Sequence, residues 1–294
     1  MNRFYEDLTH ISENRLKQRC YYIPKGNARC IYINGEWNFA YFENGDNITE
    51  PEEWDTIPVP SCWQLYGYDE PNYCNVNYPY PTDPPYVPMD NPAGVYERKV
   101  ILNTESLSYL VMEGVSSCAE IFLNGKYVGY TQGSRLQAEF DITPFAVNGE
   151  NTLRIIVRKW CSGSYLEDQD QFRLSGIFRD VYVLERPEGH LRDFRIEADD
   201  NAITVSVDRK TDVEIFDGKT PIAKFETDGE YSCKIENPIL WNAENPYLYT
   251  VVLRCAGEVI ENKIGMRTIA VSDKKELLIN GKPIKLKGVP SRYQ

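Results

Sequence analysis

The sequence contains very little histidine: His10 and His190 are the only two among 294 residues. Catalysis by a serine or cysteine nucleophile normally needs a histidine beside it, and a zinc site built on histidine needs several. Two histidines so far apart, neither of them in a recognisable motif, argue against both chemistries. Any catalysis must therefore use carboxylates, or the catalytic groups lie outside this chain.

Paired cysteine motifs and long apolar runs are also missing. The eight cysteines include no Cys-x-x-Cys spacing, which argues against a zinc knuckle and a thioredoxin-type redox pair. No apolar run reaches the roughly 18 residues of a membrane span. The polar, acidic start MNRFYEDLTH lacks the apolar core of a secretion signal. We therefore expect a cytoplasmic protein with reduced, mostly buried thiols and no membrane partner.

Positive charge is scarce, with 32 Lys and Arg against 44 Asp and Glu and a net charge of −12. A surface of this sign repels phosphate backbones and anionic lipids, so we expect neither nucleic acid nor a membrane surface as a partner. An uncharged substrate or partner is compatible with this balance.

Aromatic and turn residues are plentiful, with 21 Tyr, 19 Gly and 18 Pro. Three Asn-Gly pairs each separate two strand-like segments, the pattern of a β-hairpin, at 34–35, 124–125 and 280–281. Alternating strands are also predicted at 108–115, 152–160 and 181–185. Only residues 3–19 have room for a helix. The sequence therefore predicts an all-β fold.

The chain divides into four stretches of different composition. Residues 1–29 are a polar lead-in segment, and residues 30–187 carry the strands of a first domain. Short strand patterns at roughly ten-residue spacing over 188–270 predict a small immunoglobulin-like sandwich. Residues 271–294 begin another pattern but are too few to close a core, so we expect them to start a missing domain.

Acidic residues crowd the segment GSYLEDQDQFRLSGIFRDV at 163–181. Glycosidases use two carboxyl groups, and on an extended strand Asp168 and Asp170 would share one face while Glu167 points the other way. Three interpretations stay open at this point. The segment is an acid/base pair of Asp168 and Asp170, a site for a hard cation, or an acidic loop tied down by Arg173 and Arg179.

A second candidate is the segment rich in proline and tyrosine at 71–94, whose prolines exclude helix and central strand and predict a long surface loop. Flat rings suit the C–H faces of sugars, and Asn75 and Asn77 can hydrogen-bond hydroxyl groups. The rings concerned are Trp63, Tyr66, Tyr68, Tyr73, Tyr78, Tyr80 and Tyr86. The alternative is that these rings only pack the loop.

These motifs together resemble the amino-terminal part of bacterial β-galactosidases of glycoside hydrolase family 2, from about Tyr32 to Val289. The resemblance is carried by NGEWNFAYF (34–42), VPSCWQLYGYDEPNYCNVNYP (59–79), LNGKYVGYTQGSRLQAEFDIT (123–143), GSYLEDQDQFRLSGIFRDV (163–181), NPILWNAENPYLYTVVL (237–253) and LLINGKPIKLKGV (277–289). NVNYP and LEDQD favour the galactosidase branch over the β-glucuronidases.

The resemblance implies a jelly-roll-like sugar-binding sandwich over 30–187, an immunoglobulin-like sandwich over 188–270 and a truncated start of a (β/α)8 barrel over 271–294. It implies a parent enzyme that removes terminal β-galactosyl residues with retention, assisted by magnesium and sodium. The family's two catalytic glutamates belong to the barrel. No residue here is therefore assigned a catalytic role, and the chain by itself is expected to be inactive.

The resemblance assigns a role to two residues. Asn75 matches the loop asparagine that hydrogen-bonds galactose, and Asp170 matches the aspartate that ligates sodium near the sugar 6-hydroxyl. This assignment replaces the Asp168–Asp170 pair and leaves Asp168 without a role. The expected ligand is a β-galactoside, the sodium site is only partly present, and the family allows a homo-oligomer.

The tail departs from the family pattern. After Val289 the family continues with Asn-Arg-His-Glu, whereas this chain has PSRYQ at 290–294. We therefore expect the barrel to be missing, by truncation, by frameshift or by the choice of the expressed segment. Two rival functions stay open: a stand-alone carbohydrate-binding or assembly module without catalysis, and a family 2 hydrolase of another sugar specificity.

Overall fold

The computed structural model of the protein describes residues 3–73, 78–167 and 170–288. Within these ranges the regular elements are strands and short 3₁₀ turns, without an α-helix. The turns are Phe4–Glu6, Trp63–Tyr66, Thr143–Phe145 and Ser162–Leu166. The predicted all-β class is confirmed, and the stretch 3–19 contains one short turn in place of a helix.

In chain order the strands are β1 (Ser12–Glu13), β2 (Lys25–Gly26), β3 (Arg29–Tyr32), β4 (Gly35–Phe42), β5 (Asp55–Val59), β6 (Asn72–Tyr73), β7 (Ala93–Leu102), β8 (Leu107–Met112), β9 (Val115–Ser116), β10 (Cys118–Leu123), β11 (Lys126–Gln132), β12 (Ala138–Asp141), β13 (Gly149–Arg158), β14 (Phe172–Arg173), β15 (Gly176–Ile177), β16 (Val181–Arg186), β17 (Phe194–Ala198), β18 (Ala202–Val207), β19 (Thr211–Asp217), β20 (Thr220–Thr227), β21 (Glu230–Lys234), β22 (Tyr249–Cys255), β23 (Glu258–Ile264), β24 (Ile269–Val271), β25 (Leu277–Ile279) and β26 (Lys282–Pro283). The strands predicted at 108–115, 152–160 and 181–185 correspond to β8, β13 and β16.

The first compact unit contains the residues up to Gln18 together with Ala28–Glu188. It has a seven-stranded sheet in the order β1-β11-β10-β13-β7-β4-β5 and a four-stranded sheet in the order β12-β8-β16-β3. Side chains from both sheets bury one apolar core, for example Phe39, Tyr96 and Leu110. Because neighbouring strands are often distant in sequence, this is the crossed sandwich expected for the sugar-binding domain.

Two of the three predicted Asn-Gly hairpins are confirmed. Asn124 and Gly125 have φ values of 53° and 73°, and they join β10 to β11. Asn280 and Gly281 have φ values of 50° and 73°, and they join β25 to β26. Positive φ at both central residues is the geometry of a type I′ turn, which these residue types adopt at little cost.

The predicted hairpin at Asn34-Gly35 is wrong. Strand β3 pairs with β16 in one sheet, whereas β4 pairs with β5 and β7 in the other. The side chain of Asn34 donates from Nδ2 to Asp180 Oδ1 (2.9 Å) and accepts at Oδ1 from the Val181 amide (3.0 Å). Only Gly35 of the pair has a positive φ, 110°. The chain therefore crosses between the sheets at this point.

The second compact unit contains Arg19–Asn27 and the residues from Gly189 onward. It has a three-stranded sheet, β17-β18-β21, and a five-stranded sheet, β2-β23-β22-β19-β20. Both sheets contribute to one core, for example through Ile203 and Val251. The predicted immunoglobulin-like sandwich is thereby confirmed as a second β-sandwich with its own core.

The segments at either end of the chain also form strands. The lead-in 1–29 is divided, since β1 joins the first unit by pairing with β11 and β2 joins the second by pairing with β23. Near the carboxyl end, β24, β25 and β26 form a small antiparallel sheet. No strand of a barrel is visible among residues 271–288.

The seven cysteines in the described ranges are free thiols. Only Cys118 and Cys161 are buried, so the expectation of mostly buried thiols is wrong. A bilayer-spanning helix, long and apolar enough to cross, does not occur within the described ranges.

Gly265 packs directly on Trp241, and this contact generates a stability prediction for the second unit. A Cβ at Gly265 would lie 2.8 Å from two atoms of the indole ring, whereas a Cβ at Gly229 would meet nothing within 4 Å. We expect Gly265→Ala to lower the free energy of unfolding by about 1–3 kcal/mol through overpacking. Gly229→Ala should change it by less than about 1 kcal/mol. Urea unfolding of both variants checks this, and equal stabilities would contradict it.

Candidate functional site

The two candidate segments are brought together by the pairing of β7 with β13. In this register Ala93, near the end of the Pro/Tyr-rich segment, lies opposite Arg158, which precedes the acidic segment. The contact continues beyond the strands, because the Lys159 amide donates to Pro92 O (2.9 Å). The buried Asn91 side chain also bonds both the amide and the carbonyl of Trp160, each at 2.9 Å. The sheet register therefore places two segments distant in sequence side by side.

A second, smaller pairing joins the segments near the predicted site residues. Strand β6 pairs with β14, so that Tyr73 lies opposite Phe172, with ring centroids 5.5 Å apart. The Tyr73 hydroxyl donates a hydrogen bond to Asp170 Oδ1. Asp170 is exposed at the surface. The carboxylate predicted to meet a sugar and sodium is thus held by a tyrosine of the other segment.

Three of the residues singled out from the sequence, Asn75, Asn77 and Asp168, lie outside the described residues. Their roles therefore stay predictions. The same holds for Asp170 as a sugar and sodium ligand, since its contact with Tyr73 tests neither role.

The first acid of LEDQD has a different role from the other described acid of this motif. Glu167 accepts hydrogen bonds from the amide of Ser134 at Oε1 (2.8 Å) and from its hydroxyl at Oε2 (2.7 Å). Glu167 is half-buried, and this double contact anchors the acidic segment to the chain after β11. Sequence reasoning missed Ser134, although it lies in TQGSR, one of the motifs that carry the family resemblance.

The interpretation in which Arg173 and Arg179 tie down the acids stays a prediction, because Asp168 lies outside the described residues. The Arg173 guanidinium lies 5.9 Å from the Trp160 ring centroid, and that of Arg179 lies 5.9 Å from the Phe178 ring centroid. Within the described ranges, Glu167 bonds Ser134 and forms no ion pair with either arginine. Both guanidinium groups are placed by aromatic rings.

A small polar cavity of about 20 Å³ lies between the acidic segment and the end of β13. Its lining includes Lys159, Glu167 and Arg173. The Nε and Nη2 atoms of Arg173 are buried without a hydrogen-bond partner in the described part of the chain. The cavity has room for about one water molecule. It is too small for a sugar ring, so the described residues form one wall of a site and no closed pocket.

Part of the predicted aromatic group packs the loop, and part remains on the surface. Tyr80 packs edge-on against Trp160 at 5.0 Å between centroids, and its burial raises the pKa of its hydroxyl. Tyr78 donates to the carbonyl of Tyr165, and Trp63 is fully buried. Tyr66, Tyr73 and Tyr86 are exposed, by 48%, 52% and 59%. Among the described members of this group, these three rings expose the most surface.

Residues at the amino terminus hold the far end of the Pro/Tyr-rich segment, which sequence reasoning did not predict. Arg3 Nη2 donates to Pro88 O (2.6 Å), and Glu6 Oε1 accepts from the Val87 amide (2.9 Å). Glu6 is buried, and Arg3 Nη1 donates to it at 2.6 Å. Part of the polar lead-in thus positions a candidate binding segment.

Metal binding requires several ligands, and among the described residues Asp170 is the one that the sequence assigned to a metal. No cluster of three or more His, Cys, Asp or Glu side chains suited to a metal occurs within residues 3–73, 78–167 and 170–288. Asp170 alone offers one carboxylate of the oxygen-rich shell that a hard cation requires.

Family models match both compact units. The sugar binding domain of glycosyl hydrolases family 2 matches residues 31–187, and a second model of glycosyl hydrolases family 2 matches residues 184–267. The first match alone spans more than half of the chain. The protein therefore belongs to glycosyl hydrolase family 2.

Two individual relatives of the chain within this family are beta-galactosidases. The chain is 39% identical to the beta-galactosidase of Actinobacillus pleuropneumoniae, over 97% of this chain and 31% of that protein. It is also 39% identical to the beta-galactosidase of Staphylococcus xylosus, over 97% of this chain and 32% of that protein. The chain thus spans about a third of the length of these relatives.

Among solved structures, the fold is similar to the crystal structure of Ruminococcus gnavus beta-glucuronidase, with a TM-score of 0.72. The two are 19% identical, and the match covers 93% of this chain and 51% of that one. At this identity the likeness shows the fold alone, which agrees with the two sandwiches described above.

The contact of Glu6 with Val87 generates a prediction about local dynamics. Replacing Glu6 by alanine removes a charged acceptor, so we expect the Val87 amide to exchange hydrogen about tenfold faster or more. Asp7→Asn is the matched control, because the Asp7 carboxylate bonds only Thr9. Amide hydrogen exchange followed by NMR makes the measurement. Unchanged Val87 protection in Glu6→Ala would show that the lead-in does not hold this segment.

Exposed apolar side chains on the two segments predict self-association. Leu166 is 91% and Met89 is 71% exposed, and the neighbouring Tyr165 hydroxyl bonds Tyr86 O (2.5 Å). Apolar patches of this kind favour contacts between copies. We expect light scattering to show association that rises with concentration and falls in the double variant Leu166→Ser/Met89→Ser.

The matched control for this experiment is Ile101→Ser/Val147→Ser, which removes two exposed apolar side chains elsewhere in the same unit. If the unmodified 294-residue chain is strictly monomeric, or if both double variants dissociate equally, the prediction is contradicted.

Proposed function

We propose that this chain is the amino-terminal portion of a β-galactosidase-like glycoside hydrolase, which removes terminal β-D-galactosyl residues with retention. The observation that carries the proposal is 39% identity to two beta-galactosidases over 97% of the chain. The match includes both sandwiches and the motifs NVNYP and LEDQD. Since the chain spans about a third of those relatives, the activity is proposed for a longer parent protein.

In this proposal the chain contributes one wall of the galactose site and none of the catalytic carboxylates. Retaining hydrolysis needs two carboxyl groups about 5 Å apart, one as nucleophile and one as acid/base. We assign both to the part of the parent beyond this chain. Asp170 accepts a hydrogen bond from Tyr73, which orients the carboxylate that we propose as a sugar ligand.

The metal ions are part of the same proposal. We propose that Asp170 supplies one oxygen ligand to sodium and that the other ligands come from elsewhere in the parent. Bound sodium would supply a fixed positive charge for the sugar hydroxyls nearby. Magnesium is proposed for the parent protein, and no residue of this chain is assigned to it.

The cellular setting is likewise proposed. A cytoplasmic location is supported by the free thiols of the described cysteines, which suit a reducing compartment. Neutral β-galactosides suit a chain with a net charge of −12 better than phosphorylated ligands do. A homo-oligomer of the parent is proposed from the family alone.

The chain by itself is expected to show no measurable galactosidase activity, because both catalytic carboxylates lie elsewhere. The measurement is release of a chromophore from an aryl β-galactoside by protein purified from a host without its own galactosidase. Turnover by the pure chain would contradict the prediction. Sequencing the source locus past codon 294 separates the candidates, since an in-frame barrel supports the enzyme and unrelated sequence supports a stand-alone module.

We also expect galactose to bind only in the millimolar range or more weakly. Few polar groups of this chain meet the sugar, and each hydrogen bond contributes about 0.5–1.5 kcal/mol net. Asp170→Asn should abolish any saturation-transfer NMR signal from galactose, and Asp200→Asn, an exposed acid of the other unit, should leave it unchanged. Micromolar binding, or binding indifferent to Asp170→Asn, would assign the sugar to another site.

A further inference from the structure

A groove of about 470 Å³ lies between the end of β4, the start of β5 and the loop that joins them. We call it the acidic groove. Its lining includes half-buried aromatic side chains, among them Tyr41, Trp54 and Tyr68, and the exposed acids Glu52 and Glu53. The volume lies in the range of small-molecule sites. No lining residue belongs to the Pro/Tyr-rich segment or to the acidic segment, so this groove is separate from the galactose wall.

The aromatic part of the groove is held in place by its own contacts. The rings of Tyr41 and Tyr68 lie 5.7 Å apart between centroids at an interplanar angle of 36°. The Tyr68 hydroxyl donates to Asp55 Oδ2 at 2.5 Å, and this hydrogen bond together with burial raises the pKa of Tyr68 to about 12. The phenol stays protonated at neutral pH and keeps donating to Asp55, which fixes the orientation of that carboxylate.

The charge of the groove is uncompensated. None of its lining residues is a cation, and neither Glu52 nor Glu53 forms an ion pair with any residue in the described ranges. Arg154, a cation beside the groove residues Glu50 and Trp54, is already engaged. Its Nη1 and Nη2 donate to Glu50 at 2.8 Å each, and its Nη2 donates to Glu97 at 2.7 Å. The negative potential of Glu52, Glu53 and Asp55 is therefore left for a ligand.

The same loop already shows how a cation is held there. The Arg154 guanidinium lies 5.7 Å from the Trp54 ring centroid while it bonds the Glu50 carboxylate. A positive group placed over an aromatic face and beside a carboxylate gains from both. On the side of Tyr41 and Tyr68 the groove offers the same two elements, aromatic faces and free carboxylates, without a cation of its own.

We propose that the acidic groove binds a small organic cation through a primary ammonium group. An ammonium has three N–H donors and no acceptor, which suits the carboxylates of Glu52, Glu53 and Asp55. Its alkyl chain can cover the faces of Tyr41 and Tyr68. A neutral saccharide would use the same rings but would gain less from the negative potential. The proposal does not depend on the galactosidase assignment.

The test compares two ligands that differ only in charge. Titration of the 294-residue chain with 1,5-diaminopentane, followed by calorimetry and by the indole NMR signal of Trp54, should show saturable binding at low salt. The neutral 1,5-pentanediol should bind at least tenfold more weakly. Raising the salt concentration should weaken diamine binding, because exposed charges are screened.

The variant Glu52→Gln/Glu53→Gln removes two exposed charges without touching the core and should weaken diamine binding about threefold to tenfold. The matched control Glu36→Gln/Glu105→Gln removes two exposed acids of the same unit that do not line the groove, and binding should stay unchanged. Circular dichroism and urea unfolding of both variants establish that each is folded. Equal weakening by both double variants would show a net-charge effect and overturn the site.

The following outcomes decide the proposal. Equal affinities for the diamine and the diol, or no saturable diamine binding, would overturn it, as would galactose displacing the diamine from the Trp54 signal.

Nα-acetyl-lysine amide distinguishes the source of the cation. If the lysine derivative binds in the groove and the diamine binds more tightly, the ligand is a free amine. If the lysine derivative binds more tightly, the ammonium belongs to a lysine side chain of a partner.

Discussion

The antiparallel pairing of β7 with β13 is the interaction on which the rest of the candidate site depends. Ten residue pairs, from Gly149 opposite Leu102 to Arg158 opposite Ala93, lock these two strands in one register. The strands lie inside the seven-stranded sheet, so a slip by one residue would turn their apolar side chains away from the core. The register therefore also determines where the segments that continue from these strands begin.

From this starting point, successive contacts build the wall of the site. Just beyond the two strands, the Asn91 side chain donates a hydrogen bond to the carbonyl of Trp160. Farther along the two segments, the Tyr73 hydroxyl donates to Asp170. In the acidic segment, Glu167 accepts a hydrogen bond from Ser134. Near the amino terminus, Arg3 and Glu6 bond the backbone of the Pro/Tyr-rich segment. Most of the aromatic residues pack between these hydrogen-bonded segments. A wall built in this way can orient a carboxylate for a sugar but cannot enclose one, which fits a share in a larger active site.

The first unit carries two surfaces of different chemistry. The wall near Asp170 combines one oriented carboxylate with exposed tyrosines, and the acidic groove combines aromatic faces with uncompensated carboxylates. The groove lies at the edge strand β5, and its lining shares no residue with the pairing of β6 with β14. The two surfaces can therefore be tested by separate variants of the same chain.

Local chemistry allowed some turns and the family to be predicted from the sequence. Contacts between residues distant in sequence determined the remaining features. The turns at Asn124 and Asn280 were predictable because Asn-Gly pairs adopt positive φ by themselves, and the family was recognisable because its motifs are nearly continuous in the chain. The same residue pair at Asn34 became a crossing between sheets, because the Asn34 side chain bonds residues 180 and 181, far along the chain. Likewise, no local pattern distinguishes Glu167 from Asp170. Their different partners, Ser134 and Tyr73, are brought near only when strands distant in sequence pair, since hydrogen bonds between distant residues depend on the folded backbone and not on the neighbouring sequence.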